Sequence, residues 1–190
     1  PSTSALPFRR TVTTISPCAP VKSTRRCTRA QPPQPRDSPL KVSDLLDAET
    51  ILLDPVSSDK NGLIREMIGL LADKDRLRSP KKALADVLER EKEKGTGLEH
   101  GVAVPHCRSE GAEKLVSAFA LARAGIDFGA ADGEPSRFIF LLISPKNATT
   151  VHVQALATMA RVLKQREVQE KLLEAKGPFD VEKTLLEAKS

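Results

Sequence analysis

Tryptophan and tyrosine are absent from the 190 residues, phenylalanine occurs six times and cysteine three times. A core drawn from this composition is mainly aliphatic, and the length suits one modest domain. No run of 18 or more apolar residues exists. The longest candidate, residues 138–143, is a third of that length and reads as a buried strand, so no segment is long and apolar enough to cross a membrane as a helix. Cys18, Cys27 and Cys107 cannot build a disulfide framework, which fits a reducing compartment and a cytoplasmic location. Acidic residues are missing from positions 1–36, which hold seven basic side chains, leaving 23 basic against 25 acidic groups over residues 37–190. The formal charge of +5 therefore belongs to the N-terminal stretch, and the remainder, at −2, is not a basic protein. Nucleic-acid binding would rest on that stretch alone, which lacks interleaved aromatics beyond Phe8, and no nucleic-acid partner is expected.

Several catalytic signatures are missing too. No Gly-x-Ser-x-Gly elbow and no P-loop occur, and Gly95, Gly97 and Gly101 lack the dinucleotide-binding spacing. His100, His106 and Cys107 match no standard zinc pattern, and adjacent His and Cys on an extended segment point to opposite faces, so no metal is expected. There is no internal repeat.

What is present divides at about residue 39. Residues 1–36 contain ten Ser or Thr, seven Pro and scattered Arg, and are expected to be disordered. That composition reads either as an organelle transit peptide or as an upstream extension or mis-called start, joined through the Pro-rich residues 31–39 as a linker. The domain is expected over residues 40–190. Residues 50–53 form a short β-prone run. Leu63, Ile64, Met67, Ile68 and Leu71 fall on one face of an amphipathic helix over 59–71. Ser79 and Pro80 open a second helix as N-cap and first residue, with Ala83, Leu84, Val87 and Leu88 as its buried stripe and an end near Gly95. Residues 102–104, 115–121 and 138–143 read as three further strands, the last apolar enough to be central. Helices are predicted over 149–163, 168–175 and 181–188. The fold class expected is α/β, a three-layer α/β/α sandwich with a mixed β-sheet.

Three histidines carry the chemical interest. His106 follows Gly101, Val102, Ala103, Val104 and Pro105, so a short buried strand ends at a proline and delivers an imidazole at its edge. The preceding Gly95, Thr96, Gly97 turn lets backbone approach backbone, or approach an anion. His152, Leu156, Met159 and Leu163 share the apolar face of the third helix. His152 is therefore either a core histidine with one hydrogen bond or, near a helix N-terminus, a neutral imidazole beside a phosphate. Arg90, inside the run 89–94, is either part of a solvated charge cluster or a planar partner for phosphoryl oxygens. Cys107 reads as a small buried hydrophobe rather than a nucleophile.

Arg90 and Glu91, then Gly95, Thr96, Gly97 and Leu98, then residues 101–108 together resemble the signature of the fructose/mannitol-type EIIA domain of the phosphoenolpyruvate:sugar phosphotransferase system, including its nitrogen-regulatory branch. The resemblance extends over about 40–188, and His152 falls where the family has its second active-site histidine. It implies that His106 is the phosphorylated nucleophile, that Arg90 and His152 line its pocket, and that Thr96 helps bind the phosphoryl group. No cofactor is implied. The partners implied are an HPr-type phosphocarrier as donor, and an EIIB domain with a membrane permease, or regulatory targets, as recipients. No IIB domain or permease is fused in the sequence at hand, which tilts the expectation towards the regulatory branch. Cys107 stands where Gly or Ala is common, and His100 where a small polar residue is usual. The competing reading is a non-catalytic interaction module of the same fold, as in anion-exchanger cytoplasmic domains; the joint presence of Arg90, His106 and His152 argues against it.

Overall fold

The computed structural model describes residues 40–188; the disordered stretch and linker expected over 1–39 lie outside the described residues. Eleven elements follow in order: β1 (Ile51–Leu53), α1 (Lys60–Asp73), α2 (Pro80–Glu93), β2 (Gly97–Leu98), β3 (Val102–Ala103), β4 (His106–Arg108), β5 (Val116–Ile126), β6 (Ser136–Ser144), α3 (Thr149–Leu163), α4 (Arg166–Glu174) and α5 (Pro178–Glu187). Two 3-10 turns, Val42–Asp44 and Ala48–Thr50, precede β1. The sheet runs β1-β5-β6-β3-β2, with β4 also paired to β6. It is mixed: β1 lies parallel to β5, β3 and β4 parallel to β6, while β5–β6 and β2–β3 are antiparallel.

Strand β6 is central because both of its faces are apolar, which only a sheet covered on both sides can bury. Phe138, Phe140 and Leu142 enter the core shared with Ala155, Met159 and Val162 of α3, Leu172 of α4 and Leu185 of α5. Ile139, Leu141 and Ile143 enter the opposite core, with Leu63, Met67 and Leu71 of α1 and Val87 of α2. Strand β5 divides the work unequally. Its Phe119 and Leu121 face the α3 side, whereas Ala118, Ala120 and Ala122 face α1, where Leu63, Ile64 and Met67 supply the bulk. This is the expected three-layer sandwich.

Asp59 caps α1 through its carboxylate, which accepts from the Asn61 and Gly62 amides, so the helix proper starts one residue later than its sequence pattern. Ser79 does occupy the N-cap of α2, with Pro80 as first residue, but its side chain makes no capping hydrogen bond. Leu84 and Leu88 are only half-buried; the buried positions are Ala83, Val87 and Glu91. The expected strand over 102–104 differs in a way that matters for function. The segment does not end at Pro105 but resumes as β4 in the same register, with Val102 opposite Phe138 and His106 opposite Leu142. Pro105 has no N–H to donate, so the ladder is interrupted there, yet its carbonyl still accepts from Leu142 N at 3.0 Å. Strand β2 also goes beyond the three strands expected in this region.

The Gly95, Thr96, Gly97 turn serves backbone packing. A Cβ on Gly97 would lie 2.7 Å from Ala130 N and 2.9 Å from Phe128 O, and the Gly97 amide donates to that same Phe128 carbonyl. Gly97→Ala should therefore push the 128–130 loop away and cost about 1–3 kcal/mol in urea unfolding. A loss below the error of the measurement would show that the loop yields freely.

Candidate active site

Residues 102–108 run along β6, and alternation along an extended chain decides what each side chain meets. Cys107 turns into the core beneath α1 and α2. His106 and Arg108, one residue either side, turn towards α3, where the His106 and His152 rings lie 5.5 Å apart between centroids, tilted by 58°. Arg108 Nη1 donates to Thr149 Oγ1 at 3.1 Å. A cleft of about 630 Å³ opens over these groups. Arg90 and Asp86 of α2, His106, Arg108, and His152 and Leu156 of α3 are among its walls. Three of the residues singled out in the sequence, Arg90, His106 and His152, thus meet in one cleft although 62 positions separate the first from the last.

The hydrogen bonds set the state of each ring. His106 Nδ1 lies 2.8 Å from the Val104 carbonyl. A carbonyl can only accept, so Nδ1 carries the proton and Nε2 keeps its lone pair, with no protein partner among the described residues. His152 Nδ1 shares a 2.8 Å hydrogen bond with the buried Ser144 hydroxyl. Two cations stand nearby without a carboxylate partner among the described residues. Arg90 is half-buried, its Nη1 donating to the Lys94 carbonyl at 2.8 Å, and Arg108 is exposed. The other cleft cations are neutralised, Lys82 by Asp86 at 2.6 Å and Lys146 by Glu110 at 2.9 Å. A small anion entering the cleft would find two guanidiniums beside two neutral imidazoles, with the Glu89 and Glu93 carboxylates of α2 on the same walls.

The family model for the phosphoenolpyruvate-dependent sugar phosphotransferase system, EIIA 2, matches residues 44–188. The chain belongs to this EIIA family. A fructose-specific EIIA component from Haloferax volcanii is 34% identical over 146 residues, which cover 77% of this chain and 95% of that protein. A nitrogen regulatory protein from Bradyrhizobium diazoefficiens is 32% identical over 133 residues, 70% of this chain and 86% of the relative. Among solved structures, the nitrogen regulatory protein IIA-Ntr from Neisseria meningitidis superposes with a TM-score of 0.69 at 32% identity, covering 76% of this chain and 98% of that one. The domain is thus a phosphotransferase-system component, related to both sugar-specific and nitrogen-regulatory members.

Two residues of this EIIA domain depart from the sequence expectations. Thr96 does not line the cleft: it is buried, and its hydroxyl donates to Glu91 Oε2 at 2.5 Å, so it is committed to a carboxylate rather than free for a phosphoryl group. Arg108, which carries no expected role in the motif, lines the cleft. The signal was available, since a residue two positions after His106 on an extended segment shares its face. His100 sits outside the cleft, exposed, its amide donating to Asp132. Burial pushes the Cys107 thiol up to about 12, with the Asp86 carboxylate adding to the effect, so it stays protonated and is a poor nucleophile.

Burial also lowers the His106 pKa, the Arg90 guanidinium adding to it while the Val104 carbonyl and Glu91 oppose. For His152, burial, then His106 and Arg108, bring the value down to about 4. A folded value below the unfolded 6.5 means that the unfolded chain takes up the proton first. Stability should therefore fall as pH drops from 6.5 towards about 4, by at most about 3 kcal/mol for this residue. His152→Gln should flatten that part of the curve of urea-unfolding free energy against pH; equal slopes in the two proteins would assign the loss to other groups.

Proposed function

We propose that the chain is a phosphocarrier in which His106 Nε2 accepts a phosphoryl group from the phosphohistidine of an HPr-type donor and passes it to an EIIB domain or reports it to a regulatory target. The hydrogen bond from His106 Nδ1 to the Val104 carbonyl carries this reading, because it leaves Nε2 as the one nucleophilic nitrogen of a ring that burial keeps neutral. In the transfer the Nε2 lone pair forms the new N–P bond as the donor's N–P bond breaks, and the donor imidazole leaves with the electron pair. His106 keeps its Nδ1 proton throughout. Positive charge that develops on the ring is met by the Val104 carbonyl, and charge on the phosphoryl oxygens by Arg90 and Arg108. His152, neutral and held by Ser144, would hydrogen-bond the phosphoryl group through its other nitrogen without adding a competing charge. Leu156 and the half-covered position of His106 would slow loss of the group to water.

Incubation with phosphoenolpyruvate, enzyme I and an HPr-type carrier should add one phosphate by intact mass, acid-labile and alkali-stable, and none to His106→Ala. Arg90→Ala should slow transfer roughly a hundredfold with the fold retained, and His152→Ala should slow it less. Label that persists in His106→Ala would overturn the site. No label with any cognate donor would favour the non-catalytic interaction module.

A further inference from the structure

Glu91 is the one buried acidic residue among the described residues, its side chain 2% exposed at the end of α2. A carboxylate is costly to bury and must be held by donors. Lys60 Nζ, at 3.4 Å and more than a third exposed, is a weak counterion. The stronger partner is Thr96, which offers both of its donors: Oγ1–H to Oε2 at 2.5 Å and the backbone N–H to Oε1 at 3.3 Å. From there two more hydrogen bonds lead to the reactive ring. The Thr96 carbonyl accepts from Val104 N at 3.0 Å, and the Val104 carbonyl accepts from His106 Nδ1 at 2.8 Å. The neighbouring Arg90 holds the same turn from its other end by donating to the Lys94 carbonyl at 2.8 Å. The acceptor carbonyl that selects the His106 tautomer is therefore placed from α2, the helix that also carries Arg90.

Resting on the reading of His106 as the phosphoryl acceptor, we propose that Glu91, acting through Thr96, is a positioning residue that sets the Val104 carbonyl against His106 Nδ1 and so presents Nε2 to the cleft beside Arg90. A carboxylate suits the task because it accepts through two oxygens and has no donor of its own. Glutamine would offer one oxygen and turn an N–H₂ group towards one of the Thr96 donors. Threonine is required in turn for its hydroxyl, which serine retains and valine lacks at nearly the same volume.

The test uses the full chain with ¹⁵N-labelled histidine, the His106 signals being those lost in His106→Asn. Wild type should show the Nδ1–H tautomer. Thr96→Val and Glu91→Gln should show a mixture of tautomers and slow phosphoryl acceptance by on the order of tenfold to a hundredfold, as expected for a misplaced reacting group. Thr96→Ser should keep both properties close to wild type. If Thr96→Val and Glu91→Gln lower only the urea midpoint, with tautomer and rate unchanged, Glu91 is structural and the proposal fails. Should Glu91→Gln not fold, Thr96→Val with its serine control decides. Wild type that takes no phosphoryl group would overturn the phosphocarrier reading, and the tautomer signals would still decide the role of Glu91.

Discussion

Parallel pairing of residues 102–108 with β6 is the constraint on which the site depends. With His106 opposite Leu142, the imidazole and Arg108 face α3 while Cys107 faces α1 and α2. A slip of one residue would exchange these faces, turning the thiol towards α3 and the imidazole into an aliphatic core. Such a slip is strongly opposed. Val102 and Ala103 of β3 occupy different cores, and β5, on the other side of β6, also buries apolar side chains on both of its faces. The stability of the two cores is thus what fixes the direction in which His106 points. Pro105 interrupts the ladder without shifting its register, and it leaves the Val104 carbonyl beside His106 Nδ1.

The second constraint is electrostatic. An imidazole near two guanidiniums stays unprotonated, because burial and the neighbouring positive charge both disfavour another cation. The cleft therefore holds cations whose charge is permanent and bases whose nitrogens remain available, a combination suited to receiving an anion. Pairing Lys82 with Asp86 and Lys146 with Glu110 leaves Arg90 and Arg108 as the cleft cations without a salt-bridge partner among the described residues, with the Glu89 and Glu93 carboxylates on the same walls.

Much of the frame was legible in the residues. The period of His152, Leu156, Met159 and Leu163 marked α3, whose observed bounds are those of the pattern, and the apolar run 138–143 marked the central strand. Of the four short strands, β1 and β3 were legible as apolar runs, whereas β2 and β4 were not. Strand β2 has two residues and β4 three, too few for any period to show, and both exist because β3 and β6 supply their partners. The burial of Glu91 was not legible for another reason. Within the run 89–94 it reads as one more solvated charge, and only the packing of α2 and the 94–97 turn encloses it. The motif alone points Thr96 at a phosphoryl group, whereas the location of its hydroxyl partner assigns it to Glu91.

By itself the sequence determined the layer architecture, the residues of each apolar face and the three side chains, Arg90, His106 and His152, that could meet a phosphoryl group. The architecture and its faces follow from local periodicity, and the three side chains from the resemblance of their motifs to the EIIA family; neither needs knowledge of distant neighbours. Tertiary structure alone decided that those side chains share a cleft, that His106 carries its proton on Nδ1, and that Glu91 and Thr96 stand behind it. Those facts depend on groups far apart in the chain, or on backbone carbonyls that every residue possesses and no sequence pattern marks. Their roles come from distance and burial, which exist only once the sheet has brought α2, the 102–108 segment and α3 together.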